Sequence, residues 1–204
     1  MKKIQLIFLM MLSVFLVSCS PSLGPLRVPS QTSFMLNALP PPPKCQVRHP
    51  QTLLVAIPDS NVLYDTTQMV YSTSPLTINY FAKHRWAETP ARMLQILMVQ
   101  AFQKYHLFST TTASPSLGQY DFVLDTELVA LEQRFEKGSS HVVLMLNASL
   151  VRTLDNKIIA SQSFSVTEPA TQNTPYGGAV AANRATSELL SQLMTMIDLS
   201  IHAQ

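Results

Sequence analysis

Between Tyr120 and Thr167 the chain alternates apolar and polar residues in three successive segments, and this period-2 signal limits its fold more than any other feature. In Tyr120 to Leu131, the residues Phe122, Leu124, Leu128 and Ala130 share one side. In His141 to Arg152 the shared side is Val142, Leu144, Leu146, Ala148 and Leu150. After an Asp155-Asn156 turn, Ile158, Ala160, Phe164 and Val166 alternate with Ser161, Ser163, Ser165 and Thr167. Three strands with one apolar face each, joined by short turns, predict an antiparallel meander with one solvated side. The apolar side needs a cover.

Two helical stripes can supply it. Glu88 to Tyr105 carries Leu94, Leu97, Met98, Ala101, Phe102 and Tyr105 at helical spacing. Thr89 is placed to cap this helix, and Pro90 suits its first position, where a missing N–H costs nothing. Burying the five larger side chains contributes about 1.5–3 kcal/mol each before entropy. After a loop over Pro169 to Gly178, a second helix is predicted from Ala179 to Ile201. Its stripe is Ala182, Ala185, Leu189, Leu193 and Met196, widened by Leu190 and Ile197.

Upstream, Thr52 to Ile57 is a continuous apolar run ended by Pro58, as in a strand buried on both faces. Pro58 to Asn61 is turn chemistry, and Gln68 to Ser72 with Leu76 to Phe81 reads as a hairpin. The predicted fold is therefore an α+β two-layer sandwich, with a largely antiparallel or mixed sheet and two long helices on one face. Its span is 51–204.

Before it, residues 19–50 hold eight prolines, including the run Pro40 to Pro43. Proline fixes φ and removes a donor, so this stretch reads as a tether, with one short apolar strand at 33–37. Extended, residues 20 to 31 reach about 35 Å.

The chain starts with a secretory signature over residues 1–18. Lys2 and Lys3 precede an apolar run from Ile4 to Val17, too short for the roughly 20 residues of a membrane span. Leu16-Val17-Ser18-Cys19 resembles the lipobox of bacterial lipoproteins. The resemblance implies cleavage before Cys19, diacylglycerol on its thiol and an acylated amino terminus, with palmitate-class chains. Ser20, rather than aspartate, then implies an outer-membrane anchor on the periplasmic face. The other reading is a plain signal peptide with an accidental cysteine. If Cys19 carries lipid, Cys45 has no intrachain partner and reads as a free linker thiol.

Removing Lys2 and Lys3 from the 14 basic residues leaves 12, against 12 acidic ones. A balanced chain without a basic cluster argues against nucleic acid. No nucleophile elbow, phosphate loop or His-Glu-x-x-His motif occurs, so no catalytic residue, metal ligand or cofactor is assigned and the chain reads as non-enzymatic. The histidines, His49, His84, His106, His141 and His202, read as surface residues at turns and element ends. Asp121 and Asp125 read as the solvated side of a strand.

Several blocks resemble one known family. Leu53 to Pro58, Asn61 to Tyr64, Met69-Val70-Tyr71, Ile78 to Phe81 and Arg85-Trp86-Ala87-Glu88-Thr89-Pro90 are similar to the ABC-type transport auxiliary lipoproteins, the PqiC-like group. Tyr176-Gly177-Gly178 through Asn183-Arg184-Ala185 resembles that family's C-terminal block. The resemblance implies a lipid-anchored partner of an ABC permease and ATPase and of an MCE-type substrate-binding protein, moving lipids or other apolar cargo between membranes. A structural lipoprotein of an outer-membrane assembly or secretion system is the alternative. Tyr80, Phe81, Arg85 and Trp86 are the candidate docking patch, since interfaces favour aromatics and arginine. For Trp86 a second reading is packing ahead of the helix. Val123, Val129, Val143 and Val151 place apolar surface on the second sheet face, which a homo-oligomer would cover.

Overall fold

The computed structural model describes residues 30–43 and 48–202. The signal segment, Cys19 and Cys45 lie outside them. Gln31–Gln204 forms one compact unit. Its strands are β1 (Thr32–Phe34), β2 (His49–Val55), β3 (Asp59–Ser60), β4 (Gln68–Ser72), β5 (Asn79–Trp86), β6 (Phe108–Ala113), β7 (Phe122–Glu136), β8 (Ser139–Arg152) and β9 (Lys157–Pro169). The helices are α1 (Pro90–Lys104) and α2 (Pro175–His202). Strands and helices form an α+β fold around one mixed sheet.

The long strand β7 is the spine. On one side it pairs antiparallel with β8, which pairs antiparallel with β9. On its other side β7 takes β2 along Phe122 to Leu124, β3 along Glu127 and Leu128, and β4 along Glu132 to Arg134, all parallel. Two short arms therefore hang from one edge: β2 with the parallel β6, and β4 with the antiparallel β5, which carries parallel β1 outside it. The meander and the β4–β5 hairpin agree with the sequence reading. Strand β6 does not appear in that reading, although its threonines at 110, 111 and 112 are β-branched strand formers.

Leu53, Val55, Leu124, Leu128, Leu144, Leu146, Leu150, Leu94, Phe102, Leu189 and Leu193 meet in a single core, each 2 % exposed or less. Two bulges alter the faces that alternation predicted. The pairing shifts between Leu128 and Ala130, so Leu131 takes the core side opposite Leu144 while Ala130 turns to the other face opposite Met145. A shift at Leu150/Val151 pairs Ile158 with Val151 and leaves it 59 % exposed. An extra residue in one strand flips every later side chain. On the second face Val143 is buried, whereas Val123, Val129 and Val151 are half-buried.

Thr89 precedes α1 but makes no side-chain cap bond; the Glu88 carboxylate accepts the Thr89 N–H instead, at 2.8 Å. The helix closes with His106 at φ 50° and a bond from Leu107 N–H to Phe102 O, a left-handed end that histidine tolerates without glycine. Gln95, inside α1 and 2 % exposed, donates to Val55 O and Ser114 O, which ties together the ends of β2 and β6. The second helix begins at Pro175, four residues before the sequence reading placed it. Thr174 Oγ1 accepts the Gly177 N–H at 3.1 Å as its cap. A Cβ at Gly177 would collide with the Gln172 carbonyl, and one at Gly178 with the buried Gln133 carboxamide.

The proline-rich stretch contributes more to the fold than its composition indicates. Leu36 is 4 % exposed and Met93 Sδ lies 3.4 Å from its N–H. The Asn183 side chain accepts from Asn37 and Ala38 N–H and donates to Met35 O. Tyr105 and Ser187 donate to Pro40 O and Leu39 O. Residues 35–40 thus lie along both helices, held by side-chain bonds to backbone groups outside the sheet.

At the other end of the sheet, Asp121 Oδ2 accepts the Thr52 N–H at 2.7 Å and its hydroxyl at 2.8 Å. The backbone bond first, then the hydroxyl, holds this carboxyl below its ordinary 3.8. A depressed folded-state pKa stabilises the fold above the unfolded value, and that contribution is lost as pH falls through the folded value. Asp121→Asn is expected to lower stability by about 1 kcal/mol near neutral pH, the group being exposed. Urea unfolding should show the deficit shrinking in acid.

Candidate functional site

The site is built on β5. Strand alternation sends Phe81 to one face of the sheet and Tyr80 to the other, because Tyr80 lies opposite Val70 in register. Phe81 stacks on Tyr71 of β4, with centroids 4.4 Å apart, and meets Phe135 of β7 edge-on at 6.3 Å. His84 packs edge-on to Phe81 at 6.2 Å and stacks on Phe34 of β1 at 5.8 Å. Tyr176, in the first turn of α2, tilts against Phe34 at 6.1 Å and is 59 % exposed. Six rings from five elements therefore form a continuous band where the helix layer ends. Offset and edge-to-face rings favour such clusters by about 0.5–1.5 kcal/mol per pair beyond burial.

Beside the band, residues 72–78 and 132–137 flank a groove of about 710 Å³. Its rim carries Leu76, fully exposed and held at φ 67°, and Ile78, 39 % exposed. A bulky residue at positive φ is uncommon, and here it projects an apolar side chain into solvent.

Of the four docking candidates, Phe81 lies in the band. Tyr80 is 36 % exposed on the opposite face. Arg85 is exposed on β5, in register with Ser33 and Gln68. Trp86 corrects the expectation of one exposed patch, because it is 3 % exposed and belongs to the core. It shares a small internal pocket with Met69, Val70, Leu131, Val142 and Ala182. Alternation and burial thus separate residues that the chain places side by side. Phe34, Tyr71, His84, Phe135 and Tyr176 were missed because they are scattered over 143 positions of sequence; only the Tyr71/Phe81 pairing was legible, through the hairpin.

The carboxylates Asp121 and Asp125 do not work as a pair, since Asp121 is taken up by Thr52. Burial, and then Asp59, push the Asp125 carboxyl up. Among the histidines, His49 departs from the surface reading: it is 3 % exposed and its Nε2 meets Asp198 Oδ1 at 3.1 Å. No helix among the described residues is long and apolar enough to cross a membrane.

The resembling C-terminal block has a structural role. Asn183 clamps residues 35–38, and the neighbouring Arg184 donates to Glu168 at 3.1 Å and to Pro169 O. Together they fasten both the N-terminal segment and the end of β9 to α2.

The fold is shared with solved proteins. A crystal structure from Xanthomonas campestris superposes with a TM-score of 0.78 at 20% identity, covering 85% of this chain and 99% of that one. A second crystal structure, of an uncharacterized protein, gives 0.64 at 14% identity over 84% of this chain and 99% of that one. No curated protein sequence matches the chain. The family model for the ABC-type transport auxiliary lipoprotein component matches residues 34–197, from the β1 strand that supports the ring band to the last turns of α2, and the chain belongs to that family.

Proposed function

We propose that this chain is a non-catalytic, lipid-anchored periplasmic subunit of an ABC transport system of the MCE type, docking to partner subunits at the outer membrane. The observation that carries this reading is the family match over residues 34–197. The lipobox at Cys19 supports the anchor, and Ser20 supports the outer membrane. The three prolines Pro21, Pro25 and Pro29 support a tether between the anchor and the folded unit. The folded unit starts with β1, whose Phe34 belongs to the ring band.

That band is the docking surface in this reading. Partner contacts concentrate on rigid, partly buried aromatics with exposed edges. Phe81 is the anchor, Tyr176 and Leu76 flank it, and Tyr80 and Arg85 reach the partner from the other side of β5. The half-buried Val123 and Val151 with exposed Ile158 support a homo-oligomeric contact on the second face.

Affinity capture from detergent-solubilised envelopes, read by mass spectrometry, tests the assignment. The expected co-purifying proteins are an MCE-type substrate-binding protein and its permease and ATPase. Recovery of only secretion or barrel-assembly components would instead favour a structural assembly lipoprotein. Leu76→Glu is expected to leave stability within about 0.5 kcal/mol, as surface changes do, and Tyr176→Ala to cost about 0.5–1.5 kcal/mol through its one ring contact, while both reduce capture at least several-fold.

A further inference from the structure

At the opposite end of α2 from the ring band, three potential ligands converge. His49 opens β2, where its N–H donates to Leu107 O at 2.9 Å. Its imidazole lies between the rings of Phe108, 5.5 Å away, and His202, 5.3 Å away. Its Nε2 is 3.1 Å from Asp198 Oδ1. His202, four residues beyond Asp198 on the same helix face, brings its own Nε2 to within 3.4 Å of that same oxygen. All three ligand atoms lie within 4.8 Å of one another.

Two features separate this arrangement from an ordinary ion pair. Both imidazoles converge on one oxygen of the carboxylate. The two nitrogen–oxygen separations, 3.1 and 3.4 Å, also suit a coordination sphere: ligands bonded at 2.0–2.1 Å to a tetrahedral ion stand about 3.3 Å apart. The His49 side chain is 4 % exposed, Asp198 25 % and His202 54 %, so the cluster is closed behind and open in front, where a water can complete the sphere.

We propose that His49 Nε2, Asp198 Oδ1 and His202 Nε2 bind one divalent transition-metal cation. Two imidazoles and a carboxylate are the donor set of zinc, whereas calcium and magnesium take oxygen ligands. A bound ion cross-links the start of β2 to the last turn of α2.

The test is a titration of the full-length chain in detergent with zinc ion against a chromophoric chelator, repeated with cobalt to read the tetrahedral absorption band. One ion per chain is expected, with a rise in melting temperature. His202→Ala alters a half-exposed residue in the final helical turn, so its metal-free circular dichroism should match the native chain. Its affinity should fall by more than the about 10–100-fold that loss of an outer-shell partner typically costs. Asp198→Asn should behave alike. Failure of the native chain to bind zinc, or binding unchanged in both variants, overturns the proposal.

Discussion

Trp86→Ala is expected to lose about 3–5 kcal/mol of stability, the usual cost of removing a buried aromatic. Total stability of such a domain is about 5–15 kcal/mol, so the variant would populate unfolded states at growth temperature. The reason lies in where the indole sits: 3 % exposed, at the end of β5, under Gly178 and Ala182 of α2. Its neighbours Met69, Val70 and Val142 are themselves buried, so a cavity left by the indole is filled only by pulling them from their own contacts. Trp86→Phe should recover part of the loss. Urea unfolding of the purified chain measures both. A variant that unfolds at the native midpoint and yet loses its partners would return Trp86 to the docking surface.

Cys19→Ser is expected to move the chain from the membrane to the soluble periplasmic fraction. Each acyl CH₂ buried in the bilayer contributes about 0.8 kcal/mol; one chain holds only marginally, but two or three on one residue hold essentially permanently. In the proposed reading this thiol is the attachment point. Fractionation of envelopes on a density gradient, with labelled palmitate to follow acylation, reads the outcome. A serine variant that still sediments with outer membranes would show that the anchor lies elsewhere.

The layers of this fold were legible because periodicity reports them directly. The three alternating segments from Tyr120 to Thr167 became β7, β8 and β9, and the Leu94–Phe102 stripe became the buried face of α1. What periodicity missed has identifiable physical causes. Bulges at Val129 and Ile159 inserted single residues that no pattern of hydrophobicity marks. The start of α2 was hidden by Gly177 and Gly178, which discourage a helical reading, although Thr174-Pro175 repeats the Thr89-Pro90 signal. Proline content argued for a tether through Pro50, while Asn183, Tyr105 and Ser187 supply bonds for residues 35–40 from more than sixty positions away. The site suffered most. A linear block placed Phe81 with Trp86, whereas the sheet joins Phe81 to Tyr71, His84 and Phe135 and sends Trp86 inward.

The spine strand also sets a timetable. Synthesis delivers the β2 and β4–β5 segments long before Phe122 to Glu136 emerges. Until then the early pairs have no common partner and their unsatisfied backbone edges face outward, the condition under which nascent chains clump. The antiparallel partner of β7, β8, is adjacent in sequence, whereas β2 and β4 lie some sixty to seventy positions upstream, so pairing with β8 is expected first and the parallel pairings at the slower pace of distant loop closure. A chain built this way gains from being held open by a chaperone until its middle third is available.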